Sequence, residues 1–253
     1  MILTEPALNY KPKRIVSLVP SQTELLFDLG LEAETVGITK FCVHPHEWFR
    51  NKTRVGGTKT VHIDKIKELQ PDLIIANKEE NVKEQIEVLS DIAPVWVSDI
   101  QNLDDAIQMI QDIGQLTRKT NEANDIVSKI NSAFASLKQY QTSYHKALYF
   151  IWYNPWMTVG HDTFIHDMLQ KAGLENVSKN LSRYPSLSED DIRNCGADLV
   201  LLSSEPFPFK EKHIDLIKQL LPSATIKLAD GEMFSWYGSR LLKAPEYFME
   251  ILS

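Results

Sequence analysis

Cys42, His44 and His46 lie within five residues of one another, in the stretch FCVHPHEW at 41–48. Thiolate and imidazole are good ligands for zinc, copper or iron, and on an extended loop alternate residues point the same way. Glu79 or Glu80, in the run NKEEN at 77–81, is a candidate fourth ligand. Two features oppose a closed metal site. Pro45 fixes the backbone between the histidines, and Cys-x-His-x-His matches none of the common structural zinc spacings. The competing expectation is a buried Cys42 at a strand end, with the imidazoles hydrogen-bonded in a pocket wall. A histidine serving as axial ligand to the metal of a haem or corrinoid lies between the two.

Other polar groups invite similar scrutiny. Of the pair Glu79-Glu80, one carboxylate is expected to cap the next helix, where negative charge is favoured. The other, Glu79, is the candidate for a cationic or metal-bearing ligand. Arg240, in YGSRLL, has the forked guanidinium that suits a carboxylate or phosphate, or an acid of its own chain. Catalytic patterns are missing: there is no Gly-x-Ser-x-Gly elbow, no His-Glu-x-x-His and no Walker glycine loop. The run RVGGTKT lacks the P-loop spacing. An enzyme is not expected.

The elements that must position these residues alternate along the chain. Apolar β-rich runs are followed by amphipathic segments, a pattern of α/β layers with parallel strands. The pattern is written twice. IKELQPDLIIANKE (66–79) and IRNCGADLVLLSSE (192–205) each read as helix end, turn, Asp-Leu, apolar strand and a glutamate at the strand exit. Earlier in each half, RIVSLVP leads into SQTELLFDLGL and ALYFIWY leads into TFIHDMLQKAGL, both ending on Gly-Leu stops. Between the halves, Ala123, Ile126, Val127, Ile130, Phe134 and Leu137 recur at helical spacing with no Gly or Pro. The expected organisation is an N-terminal α/β lobe (1–117), a connecting helix (118–141) and a C-terminal α/β lobe (142–253). These would be Rossmann-like lobes with parallel sheets joined by a single long α-helix.

The totals agree with this architecture and exclude some partners. A chain of 253 residues with 43% hydrophobic content can build two cores. Its net charge of −7 opposes general binding to nucleic acid or an anionic membrane. Two cysteines, Cys42 and Cys195, make no disulfide framework. The first residues, MILTEPALNYKPKRIV, contain no apolar run of the length an export signal needs, and no run reaches a membrane span. As written, the chain is expected to be soluble and cytoplasmic; if an export signal has been removed, the expectation is instead a periplasmic or membrane-associated protein.

Parallel α/β sheets bind ligands beyond the carboxyl ends of their strands. The loops there are rich in rings: Trp48, Trp156, Tyr184, Phe207, Phe209, Phe234, Trp236 and Tyr237. If the lobes face each other, these loops line one cleft. Aromatic walls with a few polar groups suit a large flat organic ligand better than a bare ion.

The runs RIVSLVPSQTELLFDLGL, VGIT, RVGGTK and IKELQPDLIIAN, the joining helix, and NPW, AGLENV, YPSLSEDDI and ADLVLL resemble the helical-backbone (class III) substrate-binding proteins of ABC importers, nearest to the vitamin B12-binding branch. The resemblance covers nearly the whole chain. It implies capture of cobalamin, haem or an iron–siderophore in the interlobe cleft, with no covalently required cofactor, by a monomer that meets an ABC permease. The positions at which B12 binders grip the corrin with aromatics correspond to Thr58, Met157 and Tyr184, with Trp156 beside the second. Docking acids, one per lobe, correspond to Asp64 and Asp190. Both also suit the first turn of a helix, with Ser188 and Asp191 forming a capping box. The alternative is an intracellular metal or cofactor carrier without a permease, holding metal through Cys42, His44 and His46.

Overall fold

Short runs of Ile, Val and Leu bounded by turn residues build central strands that are buried on both faces, as parallel strands between helical layers are. The computed structural model describes residues 1–137 and 145–253. The chain divides into two units. The first comprises Met1–Ile100, Asp104–Lys129 and Tyr237–Arg240, and the second comprises Gln101–Leu103, Ile130–Trp236 and Leu241–Ser253.

In the first unit the strands are β1 (Ile2–Leu3), β2 (Ile15–Ser17), β3 (Thr35–Ile38), β4 (Thr53–Arg54), β5 (Leu73–Asn77) and β6 (Val95–Ser98). They form one parallel sheet in the order β1-β6-β5-β2-β3-β4. Its helices are α1 (Pro20–Asp28), α2 (His46–Asn51), α3 (Ile63–Glu68), α4 (Lys83–Ser90), α5 (Leu103–Thr117) and the first part of α6 (Thr120–Leu137). Val16, Leu18, Ile74, Ala76 and Val95 on the sheet pack with Ile66 of α3 and with Ile86 and Leu89 of α4.

The second unit holds β7 (His145–Phe150), β8 (Trp156–Met157), β9 (Leu174–Asn176), β10 (Ser186–Leu187), β11 (Leu199–Ser203) and β12 (Thr225–Ala229). A parallel sheet runs β12-β11-β7-β9, and β8 pairs with β10 in a separate antiparallel ribbon. The helices are α7 (Phe164–Lys171), α8 (Glu189–Asn194), α9 (Glu211–Leu220), α10 (Glu232–Ser235) and α11 (Ala244–Leu252). Leu148, Phe150, Val200 and Leu202 pack with Ile192 of α8 and Ile217 of α9.

The duplicated sequence is a duplicated topology. Taking each unit's central strands in chain order, β2, β3, β5, β6 and β7, β9, β11, β12 both lie in the spatial order 2-1-3-4. In each, the order reverses between the first and third strands, so the switch points lie at β2/β5 and β7/β11. Helix stops repeat as well. Gly30 (φ +71°) and Gly173 (φ +83°) take the left-handed conformation just after α1 and α7. After α1, Leu31 N–H donates to the Leu26 carbonyl and Gly30 N–H to that of Phe27.

Helix α6 buries Ala123, Ile126, Val127, Ile130, Phe134 and Leu137, the stripe predicted from their spacing. It belongs to the first unit through Lys129 and to the second from Ile130. It begins at Thr120 rather than 118, because Arg118 turns left-handed (φ +60°) and closes α5. Residues 138–141 of the expected helix lie outside the described residues. The C-terminal boundary also differs from the expected one: Tyr237–Arg240 belongs to the first unit, within a span assigned on sequence to the second.

Candidate functional site

In the first unit, side-chain amides stitch the strand exits together. Asn81, nearly buried, donates from Nδ2 to the carbonyls of Leu18 (3.3 Å) and Thr58 (3.0 Å), joining the exits of β2 and β4. Asn77 Oδ1 accepts from the backbone N–H of Glu79 (2.8 Å) and Glu80 (3.1 Å), while its Nδ2 donates to the Ser98 carbonyl at 3.1 Å. Lys40 N–H donates to the Gly56 carbonyl at 2.8 Å, linking β3 to β4, and Lys59 Nζ donates to the Glu79 carbonyl. Thr58 is thereby fixed through its backbone, with a half-buried side chain.

An aromatic ring stands on this platform. Phe41 is 50% exposed and packs over Gly57, where an added Cβ would come within 3.2 Å of Phe41 Cε2. The Lys40 ammonium sits 5.0 Å from the ring centroid, a cation–π contact that holds the ring in place. Sequence reasoning passed over Phe41 in favour of its neighbours; the available signal was a large ring immediately after an apolar strand.

Cys42, His44 and His46 do not assemble. The Cys42 thiol is fully buried, accepting from Thr23 Oγ1 at 3.1 Å and lying 3.2 Å from Thr39 Oγ1. Burial raises it above the usual thiol value, which disfavours the thiolate a metal requires. His46 opens α2 and is exposed, and His44 is half-buried. The helix begins where the extended loop was expected to continue, so alternate residues do not share a face. Among the described residues no group of three or more His, Cys, Asp or Glu side chains could hold a metal ion.

Glu79 and Glu80 are both half-buried at the exit of β5. Burial raises the Glu80 carboxyl above the usual carboxylate range; Lys59 opposes the shift and Glu79 adds to it.

In the second unit, Trp156 and Met157 form β8, with Met157 opposite Ser186. Trp156 is half-buried in a cluster, 4.9 Å from the Phe150 ring, 4.7 Å from Tyr153 and 6.2 Å from the nearly parallel Phe209. The more accessible indole is Trp152, 40% exposed and edge-on to Phe207 at 5.6 Å, another residue that sequence reasoning missed. Tyr184 is half-buried, with the Arg183 guanidinium 5.5 Å from its ring centroid.

Trp236, Tyr237 and Arg240 take other roles. Trp236 is buried and donates from Nε1 to Glu205 Oε1 at 3.0 Å, where Ser235 Oγ also donates at 2.5 Å. Tyr237 and Arg240 are buried in the first unit, where Arg240 Nε donates to Glu24 Oε2 at 2.8 Å. Arg240 thus meets an acid of its own chain. Trp48, Phe209 and Phe234 are buried too, which leaves Trp156, Tyr184 and Phe207 as the partly accessible rings among those expected to line a wall.

Asp64 and Asp190 occupy the first turns of α3 and α8, helices that correspond in the repeat, and both are exposed. Asp190 meets Arg193 at 2.9 Å, and Ser188 with Asp191 completes the capping box.

Two parallel sheets of one strand order, joined through a long helix and bearing rings and polar groups beyond their carboxyl ends, define a two-unit binding-protein fold of the helical-backbone type. A model of the periplasmic binding protein family matches residues 15–223, and the chain belongs to that family. The family is one of binding proteins. The chain is 27% identical over 204 residues to the uncharacterized ABC transporter substrate-binding lipoprotein YvrC of Bacillus subtilis, spanning 77% of this chain and 64% of that relative. It thus covers less than two thirds of that relative's length. The vitamin B12-binding protein BtuF of Vibrio cholerae superposes with a TM-score of 0.79 at 18% identity, covering 96% of this chain and 98% of that one. The haem-binding protein HutB of the same organism gives 0.81 at 20% identity, over 94% and 98%. These two likenesses show the fold.

Proposed function

We propose that the protein captures a metal-chelate cofactor, whether a corrinoid, haem or an iron–siderophore, and delivers it to an ABC permease, acting as a monomer with no covalently bound cofactor. The observation that carries this reading is the placing of exposed or half-exposed rings at the strand exits. Phe41 stands on a hydrogen-bonded platform in the first unit; in the second, Trp152 follows β7, Trp156 lies in β8 and Tyr184 just precedes β10. Large apolar rings left open to solvent at the ligand-binding end of a parallel sheet suit a flat, partly apolar ligand. Family membership and the B12 and haem binding named for proteins of the same fold support the ligand class. Thr58 and Met157 offer contacts beside these rings. Asp64 and Asp190 are the docking acids of this reading, one on each of two equivalent helices. The Asp190–Arg193 pair is exposed, so exchanging it for a permease arginine costs little.

The test is a titration of the purified protein with cyanocobalamin, haemin and ferrichrome, followed by tryptophan quenching and ligand absorbance. Saturable 1:1 binding of one of them is expected. Trp152→Ala and Tyr184→Ala should each weaken it by about 1–3 kcal/mol. If none of the three alters either signal of the folded protein, the reading fails.

A further inference from the structure

The outer edge of the first sheet lies beside a groove. β4 is the last strand of that sheet and pairs with β3 alone, Thr53 opposite Gly37 and Arg54 opposite Ile38. Val55 N–H donates to the Ile38 carbonyl at 2.9 Å. Successive residues of a parallel strand turn their backbone groups to opposite sides, so Thr53 and Val55 serve β3 while the N–H and carbonyl of Arg54 face the open side. Lys65, Glu68 and Leu69 share one face of α3 and its end by their spacing. With Lys52, Thr53 and Arg54 they line a groove of about 620 Å³. Leu69 holds α3 against the sheet, packing so closely over Gly37 that an added Cβ there would come within 2.7 Å of Leu69 Cδ1.

The groove is basic in an acidic protein. Three of its six lining residues are Lys or Arg against one Glu, although the chain as a whole carries a net charge of −7. Lys52 is accounted for within the fold: its ammonium donates to the Glu32 carbonyl, sits 5.0 Å from the Trp48 ring centroid and has Glu32, Glu34 and Glu47 near it. Arg54 and Lys65 are exposed, and among the described residues neither forms an ion pair. Arg54 is held by Phe49, donating from Nη1 to that residue's carbonyl with its guanidinium 5.0 Å from the ring centroid. A short edge flanked by cations discourages pairing with neutral or basic strands, which leaves acidic ones.

We infer that this edge is a docking site for an extended acidic segment of a partner protein, which adds as a strand beside β4. Its backbone bonds to the N–H and carbonyl of Arg54, and its carboxylates meet the Arg54 guanidinium and the Lys65 ammonium. Glu68 repels carboxylates at its own end of the groove and so limits where they fall. Strand addition of this kind draws affinity from main-chain bonds and specificity from alternate side chains. The inference is independent of chelate capture, which uses the carboxyl ends of the strands rather than the edge of the sheet.

The experiment uses the whole protein and two sets of acetylated hexapeptides, one with Glu and one with Lys at alternate positions and mixed residues between them. Exchange of the Arg54 amide hydrogen is followed by NMR at low ionic strength, with the Val55 amide, already bonded to β3, as the reference. The Glu set should slow Arg54 exchange about tenfold at saturation and leave Val55 unchanged, while the Lys set should do neither. Arg54→Gln and Lys65→Gln should each weaken the Glu peptides about twofold to fivefold, and Glu68→Gln should tighten them. Arg54→Pro removes the outward N–H as well as the charge, so it should weaken them further than Arg54→Gln does. Thermal melts confirm that each variant is folded. A Glu set that leaves Arg54 exchange unchanged, or a Lys set that slows it equally, overturns the proposal. Binding of inorganic pyrophosphate that depends on Arg54 and Lys65, with no protection of the amide by any peptide, would make the groove a simple anion site and overturn strand addition.

Discussion

Arg240 and Glu24 form an ion pair whose side chains are 6% and 10% exposed, so each offsets part of the other's desolvation. Removing one partner leaves a buried charge less well compensated. Arg240→Met should cost about 3–5 kcal/mol in urea unfolding, and Glu24→Gln combined with Arg240→Met much less than the sum of the single changes. A loss under about 1 kcal/mol for the single change would show that water replaces the guanidinium. Nothing local in YGSRLL reveals this partner, because Glu24 is 216 residues away. The same limit explains the ring assignments. An aromatic at a strand exit is visible in sequence, but whether it faces solvent, as Phe41 does, or is buried and donates to Glu205, as Trp236 does, depends on contacts made by remote segments. Cys42, His44 and His46 were separated by a local event, the start of α2, which the pattern of the stretch did not announce.

At the scale of elements the sequence was far more legible. The paired runs 66–79 and 192–205 contain β5 and β11, each preceded by a helix ending near the turn, and both Gly-Leu stops end helices as expected. Local propensity, burial pattern and capping chemistry agree in these segments, so period and punctuation suffice. Helix α7 shows how much one cap can matter. Thr163 Oγ1 accepts from the His166 N–H at 3.3 Å and donates to the Gly160 carbonyl at 2.9 Å, with the residue almost fully buried. Thr163→Ala should destabilise by about 1–2 kcal/mol, and Thr163→Ser by less, in chemical denaturation. Equal losses for the two would place the effect in the methyl group rather than the hydroxyl. After β4, Gly57→Val would drive Phe41 off its platform, since an added Cβ would already come within 3.2 Å of the ring. If Phe41 touches the chelate, affinity should fall at least as far as in Phe41→Ala; wild-type affinity in both would remove this ring from the site.

For the whole molecule, acid and alkaline limbs of stability are set by different carboxyls. Asp162, held low chiefly by the Arg183 backbone N–H, Asp191, held low by Ser188, and Glu175, held low by Lys179, contribute stability that is present above the unfolded carboxylate range and is lost as pH falls through their folded values. Glu80 and Asp112 are raised, mainly by burial, and work in the opposite sense: the folded state takes up their protons first, so stability rises as pH falls toward the unfolded carboxylate range. The urea midpoint should therefore peak in mildly acidic solution. Glu80→Gln should flatten the decline on the alkaline side; an unchanged decline would assign it to other groups. The two-unit plan was legible from the repeat, but the return of Tyr237–Arg240 to the first unit was not, since no local feature marks a segment that leaves its neighbours.

That return has a consequence for synthesis. Gly238 (φ +102°) lies against α1, where an added Cβ would be 3.2 Å from the Ser21 carbonyl, and Arg240 neutralises Glu24 on the same helix. A nascent chain emerges amino end first and ordinarily folds its leading domain while the ribosome is still at work. Here the leading unit is complete only after residue 240 has been translated, when most of the second unit has already been made. Until then Glu24 waits without its guanidinium, and ribosome-bound chains arrested before residue 237 should show α1 open to proteolysis, while chains carried past 240 on a C-terminal tether should not.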